Sequence, residues 1–161
     1  MSVIQDVLQR CADLLIPLTN QAKLYPYTPY GNSEAALKAI MLDPTNRIHM
    51  WSVIRESTKA EDKSIPAIYD YHTVVFRGWY SLRDDGSASG IEFTEEIESI
   101  RSSFWNNREL RKADGSDPKA YRCNPMQVRM QMTGSFAGYL VHYAEITMRA
   151  DIYPIDFVNR P

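Results

Sequence analysis

The sequence has few cysteines, no excess of positive charge and no long hydrophobic run. Cys11 and Cys123 lie far apart and suggest neither a disulfide framework nor a zinc-binding pair. We interpret them as buried or half-buried thiols of a reducing compartment. The net charge of −2 leaves the whole chain without the basic footprint of a nucleic-acid-binding protein. Nothing approaches the roughly 20 apolar residues that cross a bilayer, and residues 1–6 lack a secretory signal pattern. We expect a soluble intracellular protein with no membrane association.

Sequence motifs of catalysis and cofactor binding are also absent. The three histidines, His49, His72 and His142, show no metal-ligand spacing, and no glycine pattern for phosphate or dinucleotide binding occurs. The glycines of residues 86–90 lack the spacing of a nucleophile elbow, and the run that begins at Asp84 fails as a calcium loop at its later positions. We predict no enzyme, no cofactor and no metal, although neighbouring strands could still bring the histidines together.

The first half of the chain predicts helices followed by a strand. Apolar residues at helical spacing, from Ile4 to Leu18, predict a helix over residues 3–16 that ends at Pro17. The sequence also predicts an extended tyrosine- and proline-rich segment at residues 24–31 and a short helix at residues 33–41. A strand at residues 47–55 and an exposed charged loop at residues 56–63 follow.

The most informative stretch, residues 69–105, combines a long strand, a polar tip and an amphipathic helix. The strand starts near residue 65 and ends near 82, and the helix covers residues 91–105, with Ser89 near its start as a possible cap. The polar residues that follow predict either an exposed functional loop or a short helical turn. This loop covers residues 106–125. Two further strands follow at residues 126–132 and 139–149, and an extended tail covers residues 151–161.

This order of elements predicts one α+β domain over residues 1–161. We expect a mostly antiparallel four-stranded sheet with helices packed on one face. An extended N-proximal segment and a C-terminal tail over about residues 151–161 complete the predicted fold.

The long strand has two apolar faces, where one would suffice for a small monomer. Val74, Phe76, Tyr80 and Leu82 form one face, and the second carries several large aromatic residues. Because one layer of helices covers only one face, we expect the second face to meet another chain. The alternative is that segment 24–31 of the same subunit folds back over it. The candidate interface residues are Tyr69, Tyr71, Trp79, Trp51, Tyr27 and Phe157.

Residues 47–149 carry a succession of segments found in one known family. The segments are Arg47-Ile-His-Met-Trp-x-x-x-Arg55, His72-Thr-Val-Val-Phe-Arg-Gly-Trp-Tyr80, the Asp85–Ser89 tip, the helix with Phe93 and Phe104, and Tyr139-Leu-Val-His-Tyr-Ala-Glu-Ile146. In this order they resemble small neck proteins of tailed phages and prophages. The resemblance is strongest to the tail terminators, also called tail-completion proteins. Segment 24–31 and the C-terminal tail have no counterpart in that pattern.

The resemblance implies a structural virion protein without a cofactor. Its subunits would form a homohexameric ring on the head-proximal end of the tail tube, end tube polymerisation and meet the head-completion or connector protein. Its partners would be further copies of itself, the major tail tube protein and that connector, in the virion and, during assembly, in the host cytoplasm. The low positive charge suits a ring through which DNA passes without specific binding.

Two other functions stay open at the level of sequence. One is a head-tail adaptor or stopper of the same neck, which the sequence barely separates from a terminator. The other is a small α+β enzyme or ligand-binding domain that uses a sheet face as its pocket. In that case His49, His72 and Tyr71 would be the residues to mutate.

Overall fold

The computed structural model describes residues 3–19, 21–64, 67–82, 88–110, 121–136 and 138–152. In chain order, these residues form α1 (Val3–Leu15), β1 (Lys23–Tyr25), α2 (Glu34–Met41), β2 (His49–Ser64), β3 (Ala67–Ser81), α3 (Ser89–Asn106), β4 (Tyr121–Cys123), β5 (Gln127–Phe136) and β6 (Tyr139–Ile152). The predicted α+β class is therefore confirmed. Most of the predicted polar tip (residues 83–90), the middle of the predicted loop and most of the predicted tail lie outside the described residues, at 83–87, 111–120 and 153–161.

The strands form one curled, mixed sheet in the order β1-β2-β3-β6, with β4 and β5 in succession along the far side of β6. β1 runs parallel to β2, and every other pair is antiparallel. The four predicted strands are present, but two three-residue strands enlarge the sheet and β1 makes it mixed. The sequence pattern missed both because three residues show too little alternation to indicate a strand.

The charged stretch 56–63, predicted as an exposed loop, is a strand. It continues β2 as far as Ser64, which pairs with Ala67 at the start of β3. β2 and β3 thus form one long hairpin. Residues 55–60 are all exposed, so this part of β2 buries no apolar face. The prediction was wrong because apolar alternation marks a strand only where one of its faces is buried.

The main core lies between the sheet and the helices α1 and α3. The predicted stripe of α1 is confirmed, with Val7, Cys11 and Leu15 fully buried. The largest side chains that meet there are Trp51, Phe76, Phe93, Phe104, Ile97 and Ile146. Each such burial contributes about 1.5–3 kcal/mol. Both cysteines are free and buried, and burial raises the pKa of the Cys123 thiol to about 12.

The short helix α2 packs on the opposite face of the sheet. Ser33 caps it, since its Oγ accepts a hydrogen bond from the backbone N–H of Ala36 at 3.1 Å. Met41 of α2 is fully buried in a second cluster with Ile48, Met50 and Val141. The expectation that all helices pack on one face was therefore wrong.

The start of α3 also differs from the prediction. Ser89 is the first residue of α3, and the N-cap position before it is Ala88, which makes no side-chain capping bond. The Ser89 hydroxyl lies 3.1 Å from Nε2 of His142 on β6. Ser89 therefore joins the helix to the sheet instead of capping it.

Candidate interaction surfaces

Trp79 lies on the second face of the sheet, yet its own subunit covers much of it. Its ring centroid lies 5.8 Å from that of Phe136 and 5.3 Å from that of Tyr143. It also packs against the cluster around Met41. α2 and the aromatic residues of β5 and β6 thus cover part of the half-buried Trp79, while the expected contact of this face with another chain stays a prediction.

Farther along the same face, the side chains of Arg77, Tyr143, Glu145 and Arg129 form a polar network. The Glu145 carboxylate is largely buried and accepts hydrogen bonds from Nε of Arg77 at 3.2 Å and from the Tyr143 hydroxyl at 3.0 Å. Burial, together with the bond to Glu145, raises the pKa of Tyr143 to about 12. Nη1 of Arg129 lies 3.4 Å from the same carboxylate and 2.7 Å from Oε1 of Glu56.

The Arg129–Glu56 ion pair connects two strands that are not neighbours. Arg129 belongs to β5 and Glu56 to β2, and β3 and β6 lie between those strands. Arg129 lies at the register shift between Val128 and Met130, and Glu56 lies at the register shift between Arg55 and Ser57. A β-bulge bends its strand and redirects a side chain. The two bulges therefore curl the sheet and direct opposite charges toward each other across its second face.

Of the six predicted interface residues, those whose side chains the structure describes do not form one patch. Tyr71 is half-buried beneath Arg149, whose guanidinium carbon lies 3.9 Å from the ring centroid. Tyr27 is 55% exposed, and its ring lies beside Tyr25, on the outer strand β1. Trp51 is fully buried in the main core and presents no surface to a partner. Tyr69 lies on the hairpin opposite Glu61, while Phe157 lies outside the described residues.

A surface that the sequence analysis did not single out is the outer edge of β5. Within the described residues β5 pairs with β6 alone, so its other edge has no strand partner. From Met130 to Phe136 this edge has no charged side chain. Met130 and Met132 are 44% and 51% exposed. An uncharged, unpaired edge of this kind is a template for another strand. The signal in the sequence was the alternation of methionines with polar residues, which predicted the strand but not its place in the sheet.

A second unpaired edge belongs to β2, beyond the residues that pair with β1. β1 reaches only Ser52, and among the described strands none pairs with that side of residues 57–64. We call this segment the distal β2 edge. It carries Lys59, Glu61, Asp62 and Lys63. Charged side chains on an edge strand resist unwanted pairing.

A polar cleft of about 460 Å³ lies between α3 and the start of β2. His49, on its floor, is buried, and its Nε2 lies 3.0 and 3.1 Å from the two carboxylate oxygens of Glu96. Trp51 donates its indole N–H to the same carboxylate. The Tyr80 hydroxyl donates to Glu92 at 2.8 Å. These bonds tie α3 to the sheet, so His49 has a structural role whether or not the cleft binds a ligand.

The residues named for the enzyme alternative do not converge on this cleft. His49 pairs with Tyr80 at one end of β3, whereas Tyr71 and His72 lie toward the other end, roughly 26 Å away along the strand. Nδ1 of His72 lies 2.8 Å from the Thr58 hydroxyl, across the hairpin. Among the described residues, no group of three or more His, Cys, Asp or Glu side chains is arranged to hold a metal ion.

Comparisons with known proteins add no relative. No protein-family model matches the chain, and no curated protein matches it. In the part of the chain that the structure describes, no helix is both long enough and apolar enough to span a membrane.

Proposed function

We propose that this protein is a structural subunit of the neck of a tailed phage or prophage, and specifically a tail terminator. Several copies, six if the family resemblance holds, form a ring on the head-proximal end of the tail tube. The ring ends tube polymerisation and joins the tail to the head-completion or connector protein. The protein acts in the virion and is present in the host cytoplasm during assembly.

The observation that carries this proposal is that, among the described strands, the two longest unpaired edge segments, on β5 and on β2 beyond β1, lie on opposite sides of one sheet. The uncharged edge of β5 and the distal β2 edge differ in sequence, so contact between them is head to tail. A head-to-tail contact produces a ring when its rotation closes and a filament when it does not. Because α1 and α3 cover one face and α2 and the Glu145 network occupy much of the other, the edges are where a neighbouring copy could extend the sheet of the described residues.

The charge of the chain also supports a ring around DNA. Lysine and arginine together number 18 and aspartate and glutamate 20. DNA binding by counterion release needs a surplus of cationic groups along the DNA path. A slightly acidic subunit lets duplex DNA pass, so a tight and salt-sensitive complex of the ring with duplex DNA would count against the proposal.

Electron microscopy of tails made with and without the gene tests the function. We expect a ring at the head-proximal end of wild-type tails, and tails of irregular length that do not attach to heads when the gene is deleted. Tails of normal length that lack only head attachment would instead indicate a head-tail adaptor or stopper. Normal length together with normal attachment would contradict every neck function.

The cleft beside His49 supports a second candidate, a small ligand-binding domain. Its volume is in the range of small-molecule sites, although its lining is mostly charged and polar where such sites are mostly apolar. A screen of small polar metabolites by thermal shift, with His49→Gln as the comparison variant, tests this candidate. A ligand that stabilises the wild type and not the variant would favour it over the neck protein.

A further inference from the structure

The two unpaired edges have matching directions along the sheet. β2, β3, β6 and β5 are successively antiparallel, so β5 runs opposite to β2. When copies repeat head to tail with the same orientation, β2 of one copy runs antiparallel to β5 of the next. Antiparallel pairing is the better-bonded arrangement of strands. The two edges also match in length, residues 130–136 against residues 57–64.

The charges of the two edges also permit pairing. Residues 130–136 have no ionisable side chain, so pairing with the distal β2 edge brings no like charges together. Lys59 is exposed on β2, and its aliphatic stem is suited to cover an exposed methionine while the ammonium group stays in water. A contact between two copies of β5 would instead be two-fold symmetric and would close after two chains.

We propose that the edge of β5 in one copy pairs with the distal β2 edge of the next copy, so that the sheet continues from subunit to subunit. This inference rests on the proposed ring and names its contact. Gln131 aligns with Ala144 of β6, and Ala60 aligns through Asp70 with Ile152 of β6. A contact that places Gln131 opposite Ala60 of the next copy therefore displaces the neighbour along the strands by roughly 26 Å, and its β2–β3 hairpin lies against the body of the first copy.

Disulfide trapping in assembled tails tests this contact. Gln131→Cys on β5 is combined with one cysteine on β2, at Thr58, Lys59 or Ala60 in turn. The native cysteines, Cys11 and Cys123, are buried and do not compete. We expect a ladder of cross-linked oligomers from at least one combination and no cross-link from any single variant. A dimer from Gln131→Cys alone would show that like edges pair and would overturn the inference.

A second pair of variants separates this inference from the proposed function. Met132→Lys places a positive charge on the β5 edge beside Lys59 of the next copy, and Leu140→Lys places the same charge at an exposed position on β6. Because like charges opposite each other oppose strand pairing, we expect Met132→Lys to remove rings from tails without lowering the melting temperature, and Leu140→Lys to keep them. Rings that persist in Met132→Lys and lack every cross-link would overturn the β5–β2 contact and leave the neck function standing. Wild-type tails without rings would overturn the function itself.

Discussion

The two unpaired edges of the sheet are opposite in chemistry. The distal β2 edge is rich in charge, with Lys59, Glu61, Asp62 and Lys63 in close succession, whereas β5 carries no charge from Met130 to Phe136. Both strands contain a bulge next to the segment concerned. Charge on one edge disfavours pairing with chance partners, while the lack of charge on the other leaves it ready for a partner. The difference indicates that the β5 edge is open to another strand, whereas the charges of the distal β2 edge restrict it to a partner strand that brings no like charge.

The largest expected loss of stability comes from disturbing the core packing of the strands that lie between the two edges. A Cβ on residue 78 would lie 2.6 Å from the ring of the fully buried Trp51. We expect Gly78→Ala to lower the free energy of unfolding by about 3 kcal/mol, because overpacking forces the core to shift. Chemical denaturation of the wild type and the variant measures this change in the free energy of unfolding.

The matched control lies on the β5 edge. A Cβ on Gly134 would meet nothing closer than the flexible Met132 side chain at 4.0 Å. Gly134→Ala should leave the free energy of unfolding unchanged or raise it slightly, since glycine weakens a strand interior. Equal destabilisation by both variants would contradict the packing described around Trp51.

The second effect concerns Trp79, which lies between the two edges. Because its ring packs on Phe136 and Tyr143 within the subunit, we expect Trp79→Glu to destabilise the fold by about 2 kcal/mol through lost burial and a desolvated charge. Tyr27→Glu, at a 55% exposed position, should cost less than about 0.5 kcal/mol. If Trp79→Glu kept full stability and lost only assembly, the result would support the sequence-based prediction that Trp79 is an interface residue.

A third test exchanges the chemistry of the two edges. Lys59→Ile removes a charge from the distal β2 edge, and Met132→Lys adds one to β5. Both sites are exposed, so each variant should change the free energy of unfolding by no more than about 0.5 kcal/mol. We expect Lys59→Ile to increase concentration-dependent aggregation and Met132→Lys to decrease it, as light scattering would detect. The reverse order would contradict the protective role of charge on β2.

The smallest effect concerns two histidines that lie one strand inside the edges. His72 pairs with Thr58 of β2 and His142 with Thr133 of β5. Burial lowers the pKa of both. A base with a lowered pKa binds fewer protons when folded, so its stabilising contribution is present above about pH 6.5 and is lost as the pH falls through the folded pKa.

We therefore expect the free energy of unfolding to decrease below about pH 6.5. His72→Gln and His142→Gln should each flatten this dependence in part, and together they should flatten it further. Urea denaturation between pH 5 and pH 8 measures the effect. If the free energy of unfolding changed with pH in the double variant as it does in the wild type, groups other than these two histidines would cause the pH dependence.

Much of the fold followed from local patterns in the sequence. The stripe of α1, the buried residues Phe93, Ile97, Ile100 and Phe104 of α3, and the alternation of β3 and β6 all reflect packing against one core. The charged part of β2 was missed because a hairpin strand without a buried face has no apolar alternation. The placement of α2 was missed because eight residues do not reveal which side of a sheet they cover.

The candidate surfaces were predicted less well than the fold. Aromatic content pointed to Trp51 and Trp79 as contact residues, yet the core buries Trp51 and the second cluster covers much of Trp79. The β5 edge has no aromatic residue before Phe136 and was not singled out. Whether a strand edge is free depends on the order of strands in the sheet, and that order is not a local property of the sequence.

The sequence by itself determined the α+β class, the main helices and the four longer strands, because the spacing of apolar residues along the chain sets which side chains of each element are buried. Only the tertiary structure decided which strands lie at the edges, which face α2 covers, and that the bulge residues Glu56 and Arg129 meet across the sheet. The physical reason is that these features join residues far apart in the chain, through strand order and curvature that no local pattern encodes.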